Sequence, residues 1–458
     1  MKILKINLVQ WILSFVASIK EKPRRLISYN GRSFSFLEMT GRKVFMTIAC
    51  ATVMLSSTNI LAQQVQEDHL EGYLSIAGEN NPNLKALFNQ YLAAMERLPQ
   101  AKALPDPTVM FNIFASPVET RVGAQTVGLS LNQAFPWFGQ LKSQEEAAAY
   151  TAKARFEVFQ DAKNKLFFQV KSIYYDLYVL ESAIRITNEN LRLLFSFREL
   201  ANVRLEAGTG SAVDLLRVEM DIAELENQLK YLIDSREPIK TEFREMLNVE
   251  LKIPIKIPDT LRTVGLLSQK NVLMDSVLLK NPSLKKFDFD INSFNSQIDV
   301  AKSMGKPSFN VGLGYTNISK RSGLDFSDNG RDALILPQIG IRIPLYRKKY
   351  TAMVKEREFL KVSSYQQKED RKNRLFTELE KEWRNYQDAN RRIQLYRYLI
   401  SLADQSLDIL VAEFTSAGKD FEEILRMDRT LLKYELELEK ARADYNTNVA
   451  YINYLSGK

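Results

Sequence analysis

The chain of 458 residues carries one cysteine, Cys50, and one histidine, His69. Cys50 belongs to an N-terminal leader, so the body has no thiol nucleophile, no disulfide and no Cys/His zinc site. A hydrolase triad would rest on His69, which stands in the acidic run Gln66-Glu67-Asp68-His69 and reads as a solvated bystander. No cofactor, metal site or enzymatic activity is expected. The residues left with a defined spacing of charge flank two helix breaks. One runs Gly208-Thr209-Gly210-Ser211-Ala212-Val213-Asp214 with Arg217, and the other Gly418-Lys419-Asp420-Phe421-Glu422-Glu423 with Arg426. By themselves these are glycines that end helices and acids that cap the next ones.

The elements that would position them begin after the leader. The formal net charge is +8, but residues 1–62 hold nine Lys/Arg against Glu21 and Glu38, a net of +7, which leaves +1 for the rest. The body has no basic footprint for nucleic acid. Arg42-Lys43 precede an apolar run from Val44 to Leu61 that ends in Ala62, the pattern of a secretory signal peptide cleaved after Ala62. A lipoprotein cut before Cys50 competes, although Thr47-Ile48-Ala49 makes a poor lipobox. Translation can start at Met1 or Met39.

The body reads as two copies of one pattern. Asn81-Pro82-Asn83-Leu84 returns as Asn281-Pro282-Ser283-Leu284, and Pro107, Pro136 and Gly208 return as Pro307, Pro344 and Gly418. The first repeat spans 63–253, a linker 254–269, and the second repeat 270–458. Each contains a helix, a β-hairpin (107–136 and 307–345), a very long helix (139–207 and 348–417) and a shorter one (211–250 and 420–456). No Gly or Pro interrupts the stretch from Gln140 to Ala207 or that from Lys348 to Ala417. Helices of that length reach about 100 Å. Beyond the breaks, Leu215, Val218, Ile222, Leu225, Leu229 and Leu232 alternate spacings of three and four, as do Ile424, Met427, Leu431, Tyr434, Leu438 and Ala441. That is a coiled-coil seam.

The hairpins distinguish this chain from a plain coiled coil. Val127, Leu129, Leu131 and Phe135 alternate with small or polar residues, as do Phe309, Val311, Leu313 and Tyr315, and again Ile339, Ile341 and Ile343. Such segments match membrane barrel strands, yet four strands cannot close a barrel and no open edge survives in lipid. Several chains must pool them; three would supply twelve.

Over nearly the whole body the chain resembles the TolC family of outer-membrane efflux proteins. The doubled Asn-Pro-x-Leu, the Phe135-Pro136-Trp137-Phe138-Gly139 transition and the break from Gly208 to Leu216 carry the resemblance, the transition being similar to the heavy-metal branch. It implies a homotrimer in the outer membrane of a Gram-negative bacterium, with a twelve-stranded β-barrel continuous with a coiled-coil α-helical barrel in the periplasm. Its implied role is a passive efflux duct for small molecules or metal ions. The implied partners are outer-membrane lipid, a periplasmic adaptor and an inner-membrane pump of the resistance-nodulation-division type. The hairpin tips (Gly208 to Val213 and Gly418 to Phe421) would dock the adaptor, and Asp214, Arg217, Glu422, Glu423 and Arg426 would form the periplasmic gate. Pro136, Trp137, Phe138, Gly139 and Pro344 would form the strand-to-helix elbow, with Trp137 and Phe138 at the membrane interface or packed into the elbow. A poreless adaptor or coiled-coil scaffold is the competing reading. An adaptor predicts one hairpin between lipoyl-like strands, and a scaffold has no use for paired alternating strands.

Overall fold

The computed structural model describes residues 69–250, 254–266, 268–323, 325–417 and 421–458. The leader with Cys50 and the Ala62 cleavage site, together with Gly418, Lys419 and Asp420, lies outside the described residues.

Three short helices open the chain: α1 (His69–Asn80), α2 (Pro82–Met95) and α3 (Arg97–Lys102). A hairpin, β1 (Thr108–Thr120) and β2 (Gly123–Phe135), leads into α4 (Gln140–Glu206), followed by α5 (Ala212–Asp234) and α6 (Arg236–Leu247). The second half gives α7 (Lys270–Lys280), α8 (Pro282–Met304), β3 (Ser308–Ser319), β4 (Ala333–Arg342), α9 (Arg347–Ala417) and α10 (Phe421–Leu455). Among the described residues no helix is long and apolar enough to cross a membrane.

The repeated Asn-Pro motif is a helix start. The Asn81 side-chain oxygen accepts from the amides of Asn83 (3.0 Å) and Leu84 (3.2 Å), and that of Asn281 accepts from Ser283 (2.9 Å). Proline follows at the first helical position, where its missing N–H costs nothing. The helix expected over 211–250 is instead two, α5 and α6, parted at Ser235. Pro238 has no N–H to donate to the Asp234 carbonyl, which interrupts the ladder there.

Two levels of core hold the helices together. Near the breaks, Leu194 and Phe197 of α4, Val218 and Ile222 of α5, Leu407 and Phe414 of α9, and Ile424 and Leu425 of α10 form one buried cluster. The two coiled-coil seams therefore close on each other within a single chain. Further along, Leu74 and Ala77 of α1 and Phe243 and Leu247 of α6 pack on Val170, Tyr174 and Tyr178 of α4. Leu273 and Val277 of α7 and Leu455 of α10 meet Leu375 and Leu379 of α9 in the corresponding place.

The strands form one antiparallel sheet in the order β1-β2-β3-β4. Its register aligns Phe111 with Leu129, Leu129 with Tyr315 and Tyr315 with Leu334. Val109, Leu131 and Leu313 make the adjacent row. One face is thus apolar across all four strands. The other carries Asn112, Ser130, Asn310, Gly312 and Gln338, with Met110 and Ile335 as apolar exceptions in the Ser130 row. Among the described residues, no strand pairs with the outer edge of β1 or β4.

Candidate functional site

At the first tip, turn geometry explains both glycines. Gly208 has φ 70°, a left-handed conformation that favours glycine. A Cβ on Gly210 would lie 2.9 Å from the Arg204 Cβ. That close approach lets Thr209 and Gly210 both donate to the Arg204 carbonyl at 2.9 Å, satisfying the helix end. Ser211 then caps α5, its hydroxyl accepting from the Val213 amide at 3.1 Å. Val213 is exposed and free to meet a partner. Phe421 is not. It was expected among the docking contacts, but it is 1% exposed, packed against Phe414 and Phe197 with ring centroids 5.1 and 6.4 Å away. Ile424 and Leu425 of its own helix, Phe414 of its own hairpin and Phe197 of the first hairpin share the buried cluster that covers it.

The charged residues join the hairpins. Arg217 of α5 lies 3.6 Å from Asp214 and 3.3 Å from Glu422 of α10. Glu422 also meets Arg429 at 3.9 Å, and Arg429 reaches back to Asp221 of α5 at 3.0 Å. Asp214, Arg217, Glu422, Arg429 and Asp221 therefore alternate in sign along one clasp between the two hairpins. Glu423 and Arg426 stand apart as a separate exposed pair on α10. Arg429 and Asp221 were missed by sequence reasoning, though each sits one heptad beyond a named residue: seven after Glu422 and seven after Asp214. Arg204 adds a link, its guanidinium 4.4 Å from the Phe414 ring centroid and donating to the Phe414 carbonyl.

Behind the clasp, Asp428 is 1% exposed and accepts from the Asn190 side-chain amide at 2.9 Å. Burial pushes its carboxyl up to about 7, against the Asn190 bond and Arg429, with Asp221 and Glu435 pushing the same way as burial. Among the described residues, no group of three or more His, Cys, Asp or Glu could hold a metal ion.

At the other end of the long helices the elbow residues meet. Gly139, at φ 83°, turns the chain from strand to helix, and Trp137 stacks on Phe309 at 6.2 Å. Phe138 packs against Trp137 at 5.9 Å yet remains 80% exposed. Tyr346, beyond Pro344, is 82% exposed. Above them the apolar sheet face lies open, with Phe111 71% and Ile339 72% exposed. An apolar face four strands wide, uncovered by its own chain, is the mark of a surface completed by something else.

Residues 73–241 match the family model described as outer membrane efflux protein. The chain is 21% identical over 407 residues to the outer membrane efflux protein BepC of Brucella suis, covering 88% of each. Among solved structures it resembles CusC, with a TM-score of 0.71 at 18% identity over 85% of this chain and 92% of that one. It also resembles the outer membrane protein VceC of Vibrio cholerae, with a TM-score of 0.69 at 17% identity over 86% and 97%.

Proposed function

We propose that the chain, which matches the outer membrane efflux protein model over residues 73–241 and is similar to BepC over 88% of its length, is a member of that family and the outer-membrane channel subunit of a tripartite efflux system. The observation that carries this is the joining, at one elbow, of an open four-stranded sheet with an apolar face to helices of 67 and 71 residues. Strands of 10 to 13 residues suffice to cross the hydrocarbon layer when tilted. Lipid tolerates no free strand edge, so the edges of β1 and β4 pair with neighbouring copies. Three chains pool twelve strands, with the apolar face to lipid and the small, polar face to a wet lumen.

The helices then leave the elbow into the periplasm, about 100 Å long, and the clasped tips form the far end. There the channel docks a periplasmic adaptor through Val213 and its neighbours, and the adaptor links it to an inner-membrane pump of the resistance-nodulation-division type. The pump supplies the energy; this subunit supplies a passage for small molecules or metal ions. The test is the native mass of the protein extracted by detergent from an outer-membrane fraction. A trimer supports the pooled barrel, and a monomer released without detergent excludes it.

A further inference from the structure

The two ends of the sheet differ in charge. At the loop end, residues 119–122 and 320–332 contain Arg121, Lys320, Arg321 and Arg331 against Glu119, Asp325, Asp328 and Asp332, four of each sign. Several of them neutralise one another: Asp328 lies 3.6 Å from Arg121 and 3.2 Å from Arg331. At the elbow end, residues 103–107, 136–139, 305–307 and 342–349 contain Lys306, Arg342, Arg347, Lys348 and Lys349, all exposed, against one carboxylate, Asp106. Among the described residues, no carboxylate stands within ion-pair distance of any of these five.

Lys306, Arg342 and Lys349 border one open cleft of about 560 Å³ at the foot of the sheet, beside Tyr346 and Tyr350; Arg342, paired with Ser308, belongs to the small, polar face and takes no part in the lipid surface. Lys306 stands 5.4 Å from the Trp137 ring centroid, and Lys349 stands 5.7 Å from that of Tyr350. These cations follow directly on the last apolar residues of the strands. Lys306 precedes Phe309 by three residues, and Arg347 follows Leu345 by two. Aromatic rings at the rim of an apolar band, backed by uncompensated cations, match the order of a bilayer from acyl chain through headgroup to water.

We propose that the elbow is a binding surface for anionic phospholipid of the leaflet that faces the periplasm, the lipid phosphates sitting against Lys306, Arg347, Lys348 and Lys349. This rests on the reading that the sheet is a membrane barrel wall. The balanced loop end offers no such surface, so the preference for anionic lipid belongs to one leaflet.

Trp137 reports on the site directly. The full chain is reconstituted into phosphatidylcholine vesicles doped with phosphatidylglycerol brominated in its acyl chains, or with brominated phosphatidylcholine. Quenching of Trp137 is taken as the difference between the native protein and W137F. Brominated phosphatidylglycerol should quench at about a tenfold lower mole fraction than brominated phosphatidylcholine. High salt should remove that preference in the native protein, and so should K306Q/R347Q/K348Q/K349Q at low salt. Equal quenching by both lipids in the native protein overturns the charge preference while leaving the barrel wall intact. Quenching by neither lipid removes Trp137 from the membrane and takes the barrel reading down with it. The salt series needs no variant, so misfolding of the quadruple substitution does not blunt the test.

Discussion

The Asn281 side-chain amide donates to the Leu455 carbonyl at 2.9 Å, and the Asn81 amide donates to the Met246 carbonyl at 3.3 Å. The same asparagine thus caps the helix it begins and ties down the end of the last helix of its own repeat. Two positions on in each case, Asn248 at φ 50° and Gly457 at φ 75° complete the pattern. In each repeat an Asn at the start and a left-handed residue at the end fasten the last helix to the Asn-Pro helix.

Replacing Asn281 with alanine removes the cap and leaves a buried carbonyl without its donor, since Asn281 is 0% exposed. The expected cost is about 2–4 kcal/mol, the sum of a lost cap and a buried unsatisfied group. Asn81 is half-buried and its amide bond is longer, so N81A should cost about half as much. Thermal unfolding followed by helical circular dichroism ranks the two. An N81A melt lower than that of N281A would contradict the argument.

Asp428 predicts a pH slope. Its folded value of about 7 lies above the ordinary 3.8, so between those values the folded state holds a proton that the unfolded chain has lost. Stability contributed by this group is therefore full near pH 4, falls as pH rises towards 7, and stays low above it. The total is on the order of 4 kcal/mol at most. D428N keeps an oxygen for Asn190 and carries no charge, so it should flatten the slope and raise the melting temperature at pH 8. Unfolding measured from pH 4 to pH 8 decides this: if D428N and the native protein run parallel, the buried carboxyl is not the source.

The clasp should behave as a surface network. A double-mutant cycle on R217A and E422A is expected to give a coupling of about 0.2–1 kcal/mol at low salt, because both groups are partly exposed. The coupling should shrink at 1 M salt, where the screening length is about 3 Å. A cycle on R426A and E422A should give less, since Arg426 pairs with Glu423 instead. Equal couplings in the two cycles would remove the assignment of partners.

How much of this was legible in the sequence depends on how local the signal was. The long helices were visible because Gly and Pro are absent from two stretches, and the strands because period two is written along each one. The seams were visible for the same reason, as Val218, Ile222 and Ile424 repeat at heptad spacing. What escaped was partnership between distant segments. Nothing near Phe421 announces Phe197, and nothing near Glu422 announces that Arg217 lies 205 positions earlier and 3.3 Å away. The break at Ser235 was within reach, because Pro238 stood in a stretch read as one helix.

The sheet faces supply the sharpest contrast. Ile339 pairs across β3 with Val311 on the apolar face, and its neighbour Gln338 pairs with Gly312 on the small, polar face. Ile339 is 72% exposed in its own chain, so its replacement by lysine loses little packing there. On a water-facing sheet, I339K would be nearly neutral. Facing lipid, the same charge costs about 2–4 kcal/mol near the bilayer centre, while Q338K points into the lumen and is tolerated. Unfolding in urea from reconstituted vesicles should therefore separate two lysines one residue apart by about 2 kcal/mol or more. Equal stability of I339K and Q338K would mean that the apolar face is covered by protein or water rather than lipid, and the barrel wall would have to be abandoned.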